Sequence, residues 1–373
     1  MPNRKNNSIF IGATGQNVGK TTTCLGLISG LRKRFSSVGF IKPVGQQHVT
    51  VEECTLVDKD AELFKNHFKL SSKWSDISPV IIPSGFTRDF LDEKITENEM
   101  MQRIERSFNK ILSEHNYTIV EGTGHIGVGS IVELNNAKVA SVLGLDMVII
   151  ASGGLGSAYD ELCLNIAMCE KYGVKVRGVI LNRVLDDKRE MIQDYFPKAL
   201  KKWGIPLIGC IPYNAFLNSP TIRDFENLFK TTILSGKKHR YRHFHQSRLV
   251  ACSLEAYMNE ITSNELVITP ADREDIILAI FEKGKDFESG IILTGRKPPS
   301  EKLIKRIKEQ DIPTLYAPMY SYDAMRLITS YTAKIRVEDE AKVDQAVTLV
   351  EQNIDFERLC EATAPESTES LIS

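Results

Sequence analysis

From Ser8 to about Asp224, short apolar runs alternate with stretches whose apolar residues recur at helical spacing. The runs Ser8 to Ile11, Val38 to Ile41, Tyr117 to Val120, Met147 to Ala151, Gly178 to Leu181 and Leu207 to Ile211 are rich in Val and Ile. They are apolar on both faces, which is the pattern of inner strands in a parallel sheet covered by helices on both sides. Between them, Leu25, Leu27, Ile28 and Leu31 fall on one helical stretch, and Leu162, Ile166 and Cys169 on another. Such alternation predicts parallel βαβ units and hence an α/β, doubly wound, mostly parallel sheet.

The pattern breaks at Leu234-Ser-Gly-Lys-Lys-His-Arg-Tyr-Arg-His-Phe-His245, a glycine followed by a basic run. Beyond it the α/β idiom resumes at smaller scale. Strands are expected at Arg248 to Ser253, Glu265 to Thr269, Gly290 to Thr294 and Pro313 to Tyr316, and helices at Leu254 to Ile261, Arg273 to Lys283, Glu301 to Glu309 and Tyr320 to Ser330. The expected organisation is a first domain at 1–234, a linker at 235–246, a second, smaller α/β domain at 247–360 and a flexible tail at 361–373, rich in Ser, Thr, Glu and Ala. The 373 residues fit two domains at roughly 150 residues each.

Composition narrows the functional classes. The 47 basic and 48 acidic side chains leave a formal net charge of −1, so no whole-chain field exists to hold a polyanion, and nucleic acid is not an expected partner. The polar start predicts no signal peptide, and no apolar run approaches the ~18 residues of a membrane helix, so the expected location is cytoplasmic, without a membrane partner. Seven cysteines, odd in number and without a C-x-x-C pair, argue against a disulfide framework or zinc knuckle; they are expected to be reduced and mostly buried.

The most informative stretch is Ile9-Phe-Ile-Gly-Ala-Thr14-Gly15-Gln16-Asn17-Val18-Gly19-Lys20-Thr21-Thr22, an apolar strand, a glycine-rich turn and the start of an amphipathic helix. Glycines let successive backbone N–H groups turn inward, and a helix N-terminus adds positive potential, so the turn is an anion nest. Lys20 would place a point charge on the β- and γ-phosphates of ATP, and Thr21 a hydroxyl on Mg²⁺. The spacing departs from the ordinary Walker A form, because Thr14 stands where the first glycine belongs and glycine follows one place later.

With Thr14-Gly-Gln-Asn-Val-Gly-Lys-Thr21, Gly39-Phe-Ile-Lys-Pro-Val44, Val120-Glu-Gly-Thr-Gly124 and Asn182-Arg-Val184 in this order, the region from residue 8 to about 215 resembles dethiobiotin synthetase and its P-loop relatives. In layout it is more similar to the dethiobiotin-synthetase-like N-terminal region of long phosphotransacetylases. In those proteins a DRTGG domain comes next. Asp272-Arg273 and Thr294-Gly295 look like parts of that domain here, with Arg296 in place of its second glycine; the acetyltransferase domain expected to follow is missing from this chain.

The resemblance assigns further residues. Lys42 closes a strand before Pro43, which keeps it extended; in dethiobiotin synthetase a lysine there faces the γ-phosphate, which implies a charge-stabilising, catalytic role beside Lys20. Glu121 ends another strand at the same edge, where a carboxylate can hold Mg²⁺. Asp60 matches the family's second acidic metal ligand, with Asp58 its neighbour in competition and helix capping as the alternative. Asn182 resembles the asparagine that reads the adenine ring, a turn-forming role being the alternative. The expected ATP contacts are thus Thr14 to Thr22 and Asn182, and the expected metal contacts Thr21, Asp60 and Glu121. His125, in the second glycine-rich loop, is open between substrate contact and an idle surface position.

Two functions follow. An enzyme would use Mg²⁺-ATP to phosphorylate a carboxylate-like small acid. A nucleotide-dependent sensor would carry a regulatory metabolite or dimer signal through the second domain. A homo-oligomer, most simply a dimer, is expected in either case. An amidoligase like the cobyrinic acid diamide synthases is disfavoured, because neither Cys252 nor Cys360 lies in a glycine-rich strand-to-helix elbow.

Overall fold

The computed structural model describes residues 7–361. In chain order the strands are β1 (Ser8–Ala13), β2 (Val38–Ile41), β3 (Val44–Gly45), β4 (His48–Thr50), β5 (Leu56–Asp58), β6 (Val80–Ile81), β7 (Tyr117–Glu121), β8 (Met147–Ser152), β9 (Val176–Val184), β10 (Leu207–Pro212), β11 (Ile233–Ser235), β12 (Gln246–Leu249), β13 (Glu265–Pro270), β14 (Gly290–Thr294) and β15 (Thr314–Ala317). Two compact units contain them. One runs to Tyr213 and resumes at Glu340; the other is Asn214–Asp339.

The first unit is built on a six-stranded sheet in the order β10-β9-β8-β1-β7-β2, with every pairing parallel. All residues of β1 are buried, as the two-faced apolar run requires. Helix α1 (Lys20–Arg32) follows β1, and α2 (Lys59–Phe68) follows the hairpin of β4 and β5. From β1 the chain moves to β2 beyond β7, whereas β8, β9 and β10 add on the other side. The direction of winding therefore reverses at β1, and the crevice at the C-terminal end of that strand is where doubly wound sheets bind ligands.

The second unit has its own sheet, β11-β15-β14-β13-β12, in which only β11 is antiparallel. Alternate residues feed two cores. Val267, Ile291 and Leu293 face Tyr257, Ile276, Ile280 and Ile307; Leu266, Ile268 and Ile292 face Ile222, Phe225, Phe229 and Ile328. Strand alternation with period two thus gives a sheet covered on both faces.

Three expected boundaries need correction. The first unit ends at Tyr213, not 234, because Ile222, Phe225 and Phe229 sit in the core of the second. The supposed linker 235–246 is part of the second unit, since Ile233–Ser235 pairs with β15 and Gln246 opens β12. Residues 340–360 do not belong to the second unit. Their helix Glu340–Glu351 returns to α1, where a Cβ on Gly26 would fall 2.3 Å from the Val350 Cβ. The following turn satisfies the outer edge of β10, with the Cys210 N–H donating to the Asn353 carbonyl at 3.2 Å and the Asp355 N–H to the Ile208 carbonyl at 2.8 Å. A glycine face open to close packing and an edge needing partners account for the return. The expected tail lies outside the described residues apart from Glu361.

The expected strand at Arg248 to Ser253 is shifted, the ladder running from Gln246 to Leu249. All seven cysteines are free, but only Cys24, Cys169 and Cys210 are buried, so the expectation that most are buried fails. Among the described residues no helix is long and apolar enough to cross a membrane.

Candidate nucleotide site

The turn between β1 and α1 has left-handed backbone at Asn17 (φ 58°) and Gly19 (φ 98°), the alternation that makes backbone N–H groups converge on an anion. No side chain caps the N-terminus of α1, so its first N–H groups are available to phosphate. Gly19 is required twice over, by its positive φ and because a Cβ there would fall 2.0 Å from Asn182 Nδ2. Gln16 and Asn17 are exposed, Gly15, Gly19 and Thr22 half-buried, and Thr14 and Val18 buried.

The loop is braced from behind by residues that sequence reasoning missed. Thr14 Oγ1 donates to Glu161 Oε2 at 2.8 Å, and Asn165 Nδ2 donates to the Thr14 carbonyl at 3.4 Å and to the Glu161 carbonyl at 2.8 Å. Asn165 Oδ1 also accepts from the Ile126 N–H at 3.1 Å, which ties the second glycine-rich loop to the first. The available signal was a pair of polar residues one turn apart beside the apolar positions Leu162 and Ile166.

Lys42, Asp60 and Glu121 converge with Thr21. The Lys42 ammonium donates to Glu121 Oε1 at 3.0 Å and to Asp60 Oδ2, and lies 3.8 Å from Asp58 Oδ1. Thr21 Oγ1 is 3.2 Å from Asp60 Oδ1 and 3.4 Å from Glu121 Oε1. Lys42 is only 3% exposed and Glu121 fully buried. Asp58 has a supporting part. It caps α2 by accepting from the Asp60 N–H at 3.0 Å, and its other oxygen accepts from the Gln46 and Gln47 N–H groups. The N-cap of α2 is therefore Asp58, while Asp60, in the first turn of α2, faces Thr21.

Burial dominates the electrostatics. It raises the Glu121 carboxyl to about 7, with Asp60 adding to the rise against the lowering by Lys42. Burial first and the Lys42 charge second lower Lys20 to about 8. For Lys42 burial is likewise the largest influence and a lowering one, but Asp60, Glu121 and Asp58 together outweigh it and hold the ammonium well above its ordinary value. Lys20 donates to the Gly124 carbonyl at 2.6 Å.

The donor set fits Mg²⁺. Glu121 Oε2 is buried without a hydrogen-bond partner, the Thr21 hydroxyl lies near Glu121 Oε1 and Asp60 Oδ1, and all are hard oxygen ligands. Among the described residues no three His, Cys, Asp or Glu side chains form a cage by themselves. That suits a cation held through one hydroxyl, one or two carboxylates, water and the nucleotide's own phosphates.

Asn182 stands behind the loop as well. Its Nδ2 donates to the Val18 carbonyl at 2.8 Å and its Oδ1 accepts from the Arg183 N–H at 2.9 Å, with Arg183 in left-handed backbone. His125 is exposed, and its Nδ1 accepts from the Gly127 N–H at 3.1 Å, a turn-closing contact. In the second unit, Asp272-Arg273 and Thr294-Gly295 do meet at one strand-end edge, with Pro270 opposite Thr294. Arg273 pairs with Asp275 at 2.8 Å, Tyr316 donates to the Gly295 carbonyl at 2.7 Å, and Arg296 stacks over the Tyr320 ring.

A family model described as an AAA domain matches residues 7–221, more than half of the sequence. The chain belongs to this AAA-domain family. Behind the AAA domain a DRTGG domain matches residues 226–331, in the order expected. The phosphate acetyltransferase of Nitratidesulfovibrio vulgaris is 24% identical over 366 residues, covering 95% of this chain and 51% of that protein. The chain thus spans about half the length of the curated acetyltransferases it matches. The AAA domain by itself is similar to the ATP-dependent dethiobiotin synthetase of Nitrosopumilus maritimus, 26% identical over 221 residues, covering 57% of this chain and 93% of that one. Among solved structures, the MinD cell division protein of Aquifex aeolicus overlaps 57% of this chain and 84% of its own with 17% identity and a TM-score of 0.35.

Proposed function

We propose that the AAA domain binds Mg²⁺-ATP across the end of β1 and transfers the γ-phosphoryl group to the carboxylate of a small acid. The observation that carries this reading is the convergence of Lys42, Asp60, Glu121 and Thr21 beside the phosphate turn, with the buried Glu121 Oε2 left without a partner. In the reaction a carboxylate oxygen forms a bond to the γ-phosphorus while the bond to the β,γ-bridging oxygen breaks, giving an acyl phosphate and ADP. Lys20 would carry charge to the β- and γ-phosphates, and Lys42, held cationic by three carboxylates, would stabilise the transferring group. Thr21, Glu121 and Asp60 would hold Mg²⁺, which supplies Lewis-acid neutralisation of the phosphates. Asn182, which braces the loop through the Val18 carbonyl, would also read the adenine.

A second reading, a nucleotide-dependent regulator with a homodimeric, cytoplasmic protein as its simplest form, is favoured by a different observation. The likeness to phosphate acetyltransferases extends over nearly the whole chain, DRTGG domain included, rather than over the AAA domain alone. The two readings part on one measurement. ADP release from Mg²⁺-ATP is followed with and without a panel of short mono- and dicarboxylic acids, with hydroxylamine to trap acyl phosphate. Acid-dependent release with trapped hydroxamate supports phosphoryl transfer. Tight ATP binding with release indifferent to every acid supports the regulator.

A further inference from the structure

The basic segment near residue 240 belongs to the Asn214–Asp339 unit. Within the Asn214–Asp339 unit, its Lys238, His239 and Arg242 line a cavity of about 360 Å³, together with Asp286, Glu288 and Ser289. That volume suits a single small metabolite.

Charge accounting shows what the cavity leaves unmatched. Lys238 is neutralised by Asp311, whose carboxylate lies 2.6 Å from its ammonium. The Arg242 guanidinium can only donate, so its 3.1 Å contact makes His239 Nδ1 the acceptor and leaves the imidazole proton on Nε2, which is 3.6 Å from Asp311. Burial, and after it the Arg242 charge, lower His239 below the usual imidazole range, so the ring is neutral near pH 7. Arg242 forms no ion pair among the described residues, its one partner being His239. Asp286 and Glu288 have no ion pair among the described residues either. Ser289 is only 4% exposed, yet its hydroxyl has no hydrogen-bond partner, and a buried polar group left bare is a cost that a ligand can relieve.

We propose that this cavity binds a small zwitterion, an α-amino acid or close analogue, with its carboxylate on Arg242 and Ser289 and its ammonium on Asp286 and Glu288. A guanidinium fork matches a carboxylate in geometry as well as charge. A simple anion such as acetate or phosphate satisfies Arg242 but meets repulsion from the two carboxylates, and a simple amine leaves Arg242 unmatched. The site therefore discriminates by what it repels as well as by what it attracts.

The test uses the full-length protein and the standard L-amino acids one at a time, with acetate, inorganic phosphate and methylammonium as single-charge controls. Binding is read by titration calorimetry and by the shift in melting temperature. One amino acid or a chemically related group is expected to bind, and the controls are not. Arg242→Gln and Glu288→Gln are each expected to weaken that binding by about tenfold or more, the loss of one charge-assisted contact, with the ligand-free melting temperature unchanged. Should Arg242→Gln lower that temperature, Glu288→Gln, at an exposed position without an ion pair among the described residues, decides alone. The proposal is overturned if no amino acid binds, if acetate or phosphate binds as tightly as the best amino acid, or if Glu288→Gln binds that amino acid as wild type does.

Discussion

The ring of Phe356 lies so close to Gly30 that a Cβ on the glycine would fall 2.1 Å from the ring's Cζ. The two residues are far apart in sequence, yet the helix that begins at Lys20 depends on this contact for one of its faces. Phe356 is buried and also lies under the Arg34 guanidinium, 4.6 Å from the ring centroid. Truncation should therefore leave a cavity. Phe356→Ala is expected to lower stability by about 3–5 kcal/mol, the usual cost for a buried aromatic. Denaturant unfolding checks this, and a loss below about 1 kcal/mol would mean that the C-terminal segment is not docked on α1.

Gly19→Ala addresses the phosphate turn. The new methyl group meets Asn182 and the positive φ disfavours any side chain, a strain of roughly 1–2 kcal/mol before the clash is counted. The variant is expected to fold with a reduced melting temperature and to lose ATP binding, since the loop can relax only by moving its N–H groups. Calorimetric titration with Mg²⁺-ATP gives the answer, and wild-type affinity would show that the turn does not hold phosphate.

Lys20→Ala separates charge from loop shape. In the wild type, ATP with Mg²⁺ at about 100 times its dissociation constant should add about 2.7 kcal/mol of stability. The variant keeps the glycine turn but loses the cation on the β- and γ-phosphates, and most of that increment should disappear. Thermal melts with and without Mg²⁺-ATP compare the two proteins; equal ligand-induced shifts would remove Lys20 from the site.

A pH prediction comes from Glu121. Its carboxyl stands at about 7 in the folded protein, above the ordinary 4.5, so the native state binds more protons than the unfolded chain between these values. Stability from this group is fully present below the unfolded pKa and is lost as pH rises through the folded one. Each unit of separation corresponds to ~1.4 kcal/mol, enough to tilt the stability profile in EDTA between pH 5 and pH 7. Glu121→Gln is expected to flatten that part of the profile, and added Mg²⁺ to restabilise the wild type more than the variant. An unchanged slope in the variant would assign the titration elsewhere.

The parts legible in the sequence were those written locally. The strands β2 and β14 lie where their apolar runs ended, because a two-faced Val- and Ile-rich run has one stable environment, the inside of a sheet. The glycine turn, Lys42 and Glu121 were legible for a related reason: chemistry at the C-terminal ends of parallel strands gathers at one edge, whatever the loops between them do. Positions fixed by distant partners were not. Ile233–Ser235 is too short to show a period, and its identity as a strand comes from β15, some eighty residues on. Val343, Ala346 and Val350 signal a helix face but carry no sign of which unit buries it. The complementary sign was at Gly26 and Gly30, two glycines one turn apart inside a helix. They mark a place where another backbone approaches closely, without naming which one. Asp58 was weighed only as a rival of Asp60, because the Gln46 and Gln47 N–H groups that occupy it are loop geometry that no pattern encodes.

The return of the chain at Glu340 also sets an order in time. On the ribosome, α1 and its glycine face emerge early, but the helix that covers them is made only after the whole of Asn214–Asp339 has been synthesised. At ~5–20 residues per second, that interval is roughly 6 to 25 seconds. During it the outer edge of β10 and the groove along Gly26 and Gly30 are bare, while the inserted unit has everything it needs to fold. Of the two units, the inserted one is thus complete first, and the unit that contains β1 closes only once the helix Glu340–Glu351 has been made.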